Sequence, residues 1–109
     1  MHELAITESL VSAVSERVGD AKVTCVRLAI GRLSGVVPEA VLFCFDVCSA
    51  GTPLEGARLE VEEIRGRAFC RDCHQETDLE DSIALCTCGS ANLELLSGQE
   101  LKIKEVEVA

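Results

Sequence analysis

ELKIKEVEV, residues 100–108, is a β-strand written almost at the end of a 109-residue chain. Polar and apolar residues alternate through it with the two-residue period of a strand. Leu101 and Ile103 share one face and Val106 and Val108 the other, and this change of phase near Glu105 predicts a bulge. A strand needs neighbours, and the two best candidates lie far upstream. KVTCVRLAIGRL (22–33) is rich in β-branched residues and apolar on both faces, so it should be central or covered on both sides. ARLEVEEI (57–64) puts Leu59 and Val61 on one face. The last strand therefore returns to a sheet begun by the first two, and whatever lies between residues 65 and 98 is an insertion.

Helical signals surround these strands. In LAITESLVSAVSERV (4–18), Leu4, Leu10, Val11, Val14 and Val18 fall at helical spacing, and Gly19 makes a stop. Pro38 suits a first helical turn, and PEAVLFCFDVCSA (38–50) follows as a second helix ended by Gly51 and Pro53. That helix is apolar nearly all round, which predicts deep packing. The class is α/β (α+β): a domain of two helices and a three-stranded mixed sheet over 1–65 and 98–109, with an inserted zinc-ribbon-like domain over 66–97.

The insertion holds CRDC (70–73), a gap, and CTCGS (86–90). Two close cysteine pairs joined by a loop have the spacing of a structural zinc site, with Cys70, Cys73, Cys86 and Cys88 as ligands. So few large apolar side chains cannot fold this stretch by burial, and a bound metal would supply about 10 kcal/mol or more. The second pair is C-x-C, so its turn must be tighter than the first. His74, next to Cys73, is either a substitute ligand or a solvated loop residue. A redox C-x-x-C is the rival, but the strand–helix context of such motifs is missing. Cys25, Cys44 and Cys48 read as small core hydrophobes.

Charge and composition exclude several functions. The net charge is −9, and residues 66–98 carry two arginines against six carboxylates, so a zinc ribbon here would repel nucleic acid. Seven cysteines without a signal peptide suit a reducing, cytoplasmic setting. With two histidines, one terminal and one beside the thiolates, neither a nucleophile–base pair nor an open catalytic metal is in view, so an enzyme is not expected.

The chain begins MHE. A free terminal amine, the His2 backbone nitrogen and the His2 imidazole can chelate one ion in fused rings. Deprotonating an amide nitrogen favours Cu(II) or Ni(II), whose preferred geometry is tetragonal and nitrogen-rich. Met1 should be retained, since trimming aminopeptidases prefer small second residues.

MHELAITESLV, IGRLSGVVPEAVLFCFD, the paired cysteines and CGSANLELLSGQELKIKEVEV, in that order, resemble the nickel metallochaperones of [NiFe]-hydrogenase maturation, the HypA/HybF type. The resemblance spans essentially the whole chain. It implies an α/β nickel domain with an inserted zinc domain, nickel held by Met1, His2 and Glu3, and zinc held by Cys70, Cys73, Cys86 and Cys88. Some relatives supply a further carboxylate to nickel from the segment before the second helix, and Glu39 is the nearest candidate here. Many relatives have C-x-x-C as the second pair, and commonly glutamate where this chain has Arg32. The resemblance further implies delivery of Ni(II) with a maturation GTPase and the hydrogenase large subunit as partners, and leaves room for a homodimer. The rival reading is a zinc-stabilised adaptor with no nickel site of its own.

Overall fold

The computed structural model describes residues 2–80 and 84–109. Among them two helices and six strands follow as α1 (Glu3–Val18), β1 (Val23–Gly31), α2 (Pro38–Ser49), β2 (Arg58–Ile64), β3 (Gly66–Cys70), β4 (Glu76–Leu79), β5 (Leu93–Ser97) and β6 (Leu101–Val108). No helix among the described residues is long and apolar enough to cross a membrane. The strands form two three-stranded sheets, ordered β2-β1-β6 and β4-β3-β5. The late strand does pair with the early ones, as its alternation requires.

β1 is central in its sheet, and seven of its nine residues are buried. It runs parallel to β2: Val23 N–H donates to Pro53 O at 3.0 Å near one end, and Arg32 N–H to Ile64 O at 2.9 Å near the other. Helix α2 supplies the crossover that a parallel pair needs. β6 runs antiparallel to β1, with Ala109 N–H on Lys22 O at 2.9 Å and Gly31 N–H on Glu100 O at 2.7 Å. The change of phase is harmless because β6 is an edge strand: Val106 is half-buried, while Leu101, Ile103 and Val108 stay exposed.

The chain divides into two compact units. The first comprises Met1–Ala29, Val36–Glu62 and Lys102–Ala109. Its core sets Leu10, Val11 and Val14 of α1 with Val41 and Phe45 of α2, the two helices packing together, and with Val23, Cys25, Val26 and Leu28 of β1. Each fully buried side chain of this size contributes about 1.5–3 kcal/mol. Gly19 closes α1 at φ 63, donating to Ser15 O at 3.1 Å. Helix α2 corrects the expectation of deep packing all round. Only Val41, Phe45 and Ser49 are buried, Cys44 and Cys48 are half-buried, and Phe43 and Val47 remain 77% and 67% exposed. A helix with one covered side can bury only one stripe, whatever residues fill the other.

The second unit comprises Ile30–Gly35 and Glu63–Leu101. Strand β3 pairs antiparallel with β4, Phe69 opposite Glu76, and with β5, Phe69 opposite Glu94. The residue pattern does not announce these three strands, because elements of four and five residues are too short to show a period. Leu33 N–H donates to Gly98 O at 2.7 Å. Backbones there pass so closely that a Cβ on Gly31 would lie 2.0 Å from Gly98 O, and one on Gly66 2.5 Å from Leu79 O.

Candidate metal centres

Two backbone turns present the four cysteine sulfurs. At the end of β3, Cys70 N–H donates to Gln75 O at 2.9 Å and His74 N–H to Cys70 O at 2.8 Å. Beyond β4, Cys86 N–H donates to Ser90 O and Gly89 N–H to Cys86 O, both at 2.8 Å. The bonding pattern is the same, with one residue fewer between the cysteines of the second turn. In each, the residue after the second cysteine has positive φ, 62° at His74 and 94° at Gly89. His74 thus occupies the position that glycine fills in its counterpart. Its ring meets Phe69 edge-on, centroids 6.2 Å apart.

Asp72 joins the two turns. Its carboxylate accepts from Ser90 Oγ, and from Asn92 Nδ2 at 3.4 Å. Those donors, Ser90 first, hold the carboxyl below its ordinary range. Arg71 adds N–H donation to Asn92 O at 3.0 Å and a guanidinium contact to Leu93 O at 3.1 Å. The sequence pattern carried no sign of Asp72, since an aspartate between two cysteines looks like any polar turn residue.

The sulfurs of Cys70, Cys73, Cys86 and Cys88 all lie within 4.8 Å of one another. Cys70 and Cys88 are 3.7 Å apart, Cys73 and Cys86 3.6 Å. A tetrahedron with Zn–S bonds of about 2.3 Å has edges of about 3.8 Å, so the spacing fits zinc held by four thiolates. Cys73 N–H approaches Cys70 Sγ at 3.5 Å, and that donor first of all brings the Cys70 thiol down to about 6. Cys88 N–H lowers Cys86 likewise. Cys73 and Cys88 stay above the usual thiol range: Gln75 and Ser90 N–H groups pull each down, but burial and the neighbouring sulfurs push further up. Four thiolates this close repel one another, and a divalent cation bound at their centre would offset that repulsion. Cys70 and Cys86 are buried, so the site is closed on one side by protein.

The N-terminal candidates have different surroundings. Met1 lies outside the described residues. His2 caps α1 in an exposed position, its carbonyl accepting Ile6 N–H at 3.1 Å. Glu3 is buried, and its Oε2 accepts Val37 N–H at 3.1 Å, so the carboxylate ties the first turn of α1 to the residue that caps α2. Thr7 Oγ1 donates back to Glu3 O at 2.6 Å. Glu39 is exposed in the first turn of α2. Among the described residues, the four cysteines form the one cluster of metal-ligating side chains, and His2, Glu3, Glu39 and His74 are not part of it.

An α+β chain whose four cysteine sulfurs cluster so that they could hold a metal ion fits the class of small metal-binding proteins. A family model described as "Hydrogenase/urease nickel incorporation, metallochaperone, hypA" matches residues 1–108. The hydrogenase maturation factor HypA of Nostoc sp. (strain PCC 7120) is 54% identical over 108 residues, covering 99% of this chain and 96% of its own. That of Geotalea uraniireducens is 46% identical over 109 residues, covering 99% of both. In fold, the chain resembles the Ni metallochaperone HypA from Helicobacter pylori, with TM-score 0.65 at 19% identity over 99% of this chain and 97% of the other. A second solution structure of a HypA protein gives TM-score 0.69 at 20% identity, covering 100% and 97%. The chain belongs to the HypA family of nickel-incorporation metallochaperones.

Proposed function

We propose that this chain binds Ni(II) at its N-terminus and delivers it for maturation of the [NiFe]-hydrogenase active site. The observation that carries the reading is the family match, which runs from residue 1 to residue 108 and so includes the MHE start. The ligands are the Met1 amine and the backbone nitrogen and imidazole of His2, with carboxylates of Glu3 and Glu39 as further candidates. Most of these donors belong to the backbone or to one exposed side chain, which is why no second side-chain cluster is required. An exposed nitrogen site suits cargo: an acceptor's ligands approach from solvent as the first ones leave, and no covalent chemistry is needed.

The nickel-binding domain is assigned to 1–65 and 98–109 and the zinc domain to 66–97. When bound, zinc supplies folding free energy to a segment with little core of its own. The four cysteines hold it in a closed shell, so it is resident and not transferred. The acceptors are a maturation GTPase and the hydrogenase large subunit, and the setting is the cytoplasm. No catalytic step is assigned to the chain. His2→Gln, whose large second residue keeps Met1 in place, is the test: the variant should lose Ni(II) binding and retain one zinc per chain with an unchanged far-UV spectrum. Undiminished nickel binding would remove the N-terminal site from the account.

A further inference from the structure

Helix α2 presents an outward face that the fold does not use. Its covered stripe is Val41, Phe45 and Ser49. On the opposite side stand Phe43 and Val47, four residues apart and therefore on one stripe, with Leu42 beside them. Phe43 is 77% exposed and Val47 67%, the two most exposed large apolar residues among those described. Phenylalanine and valine are also mediocre helix formers, because both lose side-chain freedom against the preceding turn. They help neither the core nor the helix, yet the exposed side of a helix is where polar residues cost nothing. Apolar residues grouped in this way mark an interaction surface.

Charge selects the occupant. Glu39 and Asp46, both exposed, are interleaved with Phe43 and Val47 on the same side, and α2 contains no lysine, arginine or histidine. A second copy of this chain would set the same acids against each other, on a protein of net charge −9. An anionic membrane surface or a nucleic acid is repelled for the same reason. What fits is a partner segment with apolar anchors at helical spacing and lysine or arginine at its rim. A helix laid on a helical face meets this description, reading its partner through anchors one turn apart.

We propose that the outward face of α2, built on Phe43 and Val47 between Glu39 and Asp46, docks a basic-rimmed amphipathic helix of a partner protein. This goes beyond nickel binding and stands without it. The occupant's apolar anchors cover Phe43 and Val47, and its cations pair with the two carboxylates, which sets orientation and speeds encounter.

The test uses the full-length, zinc-loaded protein and two short synthetic helical peptides with one leucine face in common, one with lysines and the other with glutamates on the polar face. Fluorescence anisotropy measures binding to wild type, Phe43→Ser, Val47→Ser, Asp46→Lys and, as a control in the second unit, Leu96→Ser. The exposed positions make misfolding avoidable, and circular dichroism with zinc analysis checks each variant. The lysine peptide should bind wild type and Leu96→Ser alike. It should bind Phe43→Ser and Val47→Ser about tenfold more weakly, the loss typical of a central anchor. Asp46→Lys should weaken binding and flatten its salt dependence. Equal binding across all variants would overturn the proposal, as would tight binding of the glutamate peptide. Sedimentation showing a wild-type dimer that Phe43→Ser dissolves would assign the face to a second copy instead.

Discussion

Replacing His74 by glycine should leave the protein more stable than replacing it by alanine. Both substitutions remove the same imidazole and the same edge contact to Phe69, so their difference isolates the backbone. At φ 62, His74 lies in the left-handed region, where a Cβ costs about 1–2 kcal/mol. Glycine avoids that cost but surrenders about 0.4–1 kcal/mol through its freer unfolded chain. The net advantage of glycine over alanine is about 0.5–1 kcal/mol, or about 2–8 °C in Tm for a domain of this size. The sign is what matters, because inside a helix or strand alanine wins by a similar margin. Thermal unfolding of both zinc-loaded variants, with metal content measured by native mass spectrometry, gives the answer. One zinc per chain in each, with the glycine variant melting higher, is the expected result. An alanine variant that melts at or above the glycine variant would refute the left-handed turn. Loss of zinc from both would make His74 a ligand.

The remaining expectations are structural. Gly31→Ala drives a Cβ to within 2.0 Å of Gly98 O, a backbone atom that cannot rotate away, and should cost about 3 kcal/mol or more in urea unfolding. Glu3→Ala removes the acceptor of Val37 N–H and should lower the urea midpoint, whereas an unchanged midpoint would show that the α1–α2 tie contributes nothing. The pH dependence follows from Arg27, which donates to Glu60 at 2.8 Å and to Glu107 at 2.7 Å and also contacts Glu105. Arg27 holds the Glu60 carboxyl below its ordinary value, so its contribution to stability is present above an unfolded pKa of about 4.3 and is lost as pH falls through the folded value. All partners are partly exposed, so the effect is small. Glu60→Gln should be slightly less stable than wild type at neutral pH, and the two should converge in acid.

Much of this architecture is legible in the residue pattern. Residues 100–108 alternate, and alternation that close to the end of a chain calls for early partners. β1 is apolar on both faces and does lie in the middle of its sheet. The cysteine spacing likewise required one centre, and the four sulfurs meet. Other features were illegible for definite reasons. Composition says how apolar α2 is but not how many neighbours it has, so Phe43 and Val47 looked like core. β3, β4 and β5 are too short to show a period. In sequence Glu3 carries only the ligand role that the resemblance implies, and the approach of Val37, far along the chain, makes it a tie between the two helices. His74 could be suspected as a ligand because histidine binds metals. Its backbone angle, matched to that of Gly89 in the second turn, explains the residue without any ligand role.

The central claim concerns the first residues of the chain, and one titration addresses it. Untagged, zinc-loaded protein and a version with one residue added before Met1 are titrated with Ni(II), followed by calorimetry and d–d absorption. The extension leaves every side chain in place and removes only the terminal amine from its position beside His2. The account predicts tight binding with a square-planar spectrum for the native terminus, and loss of both for the extended chain while zinc stays bound. Equal nickel binding by the two proteins would contradict it.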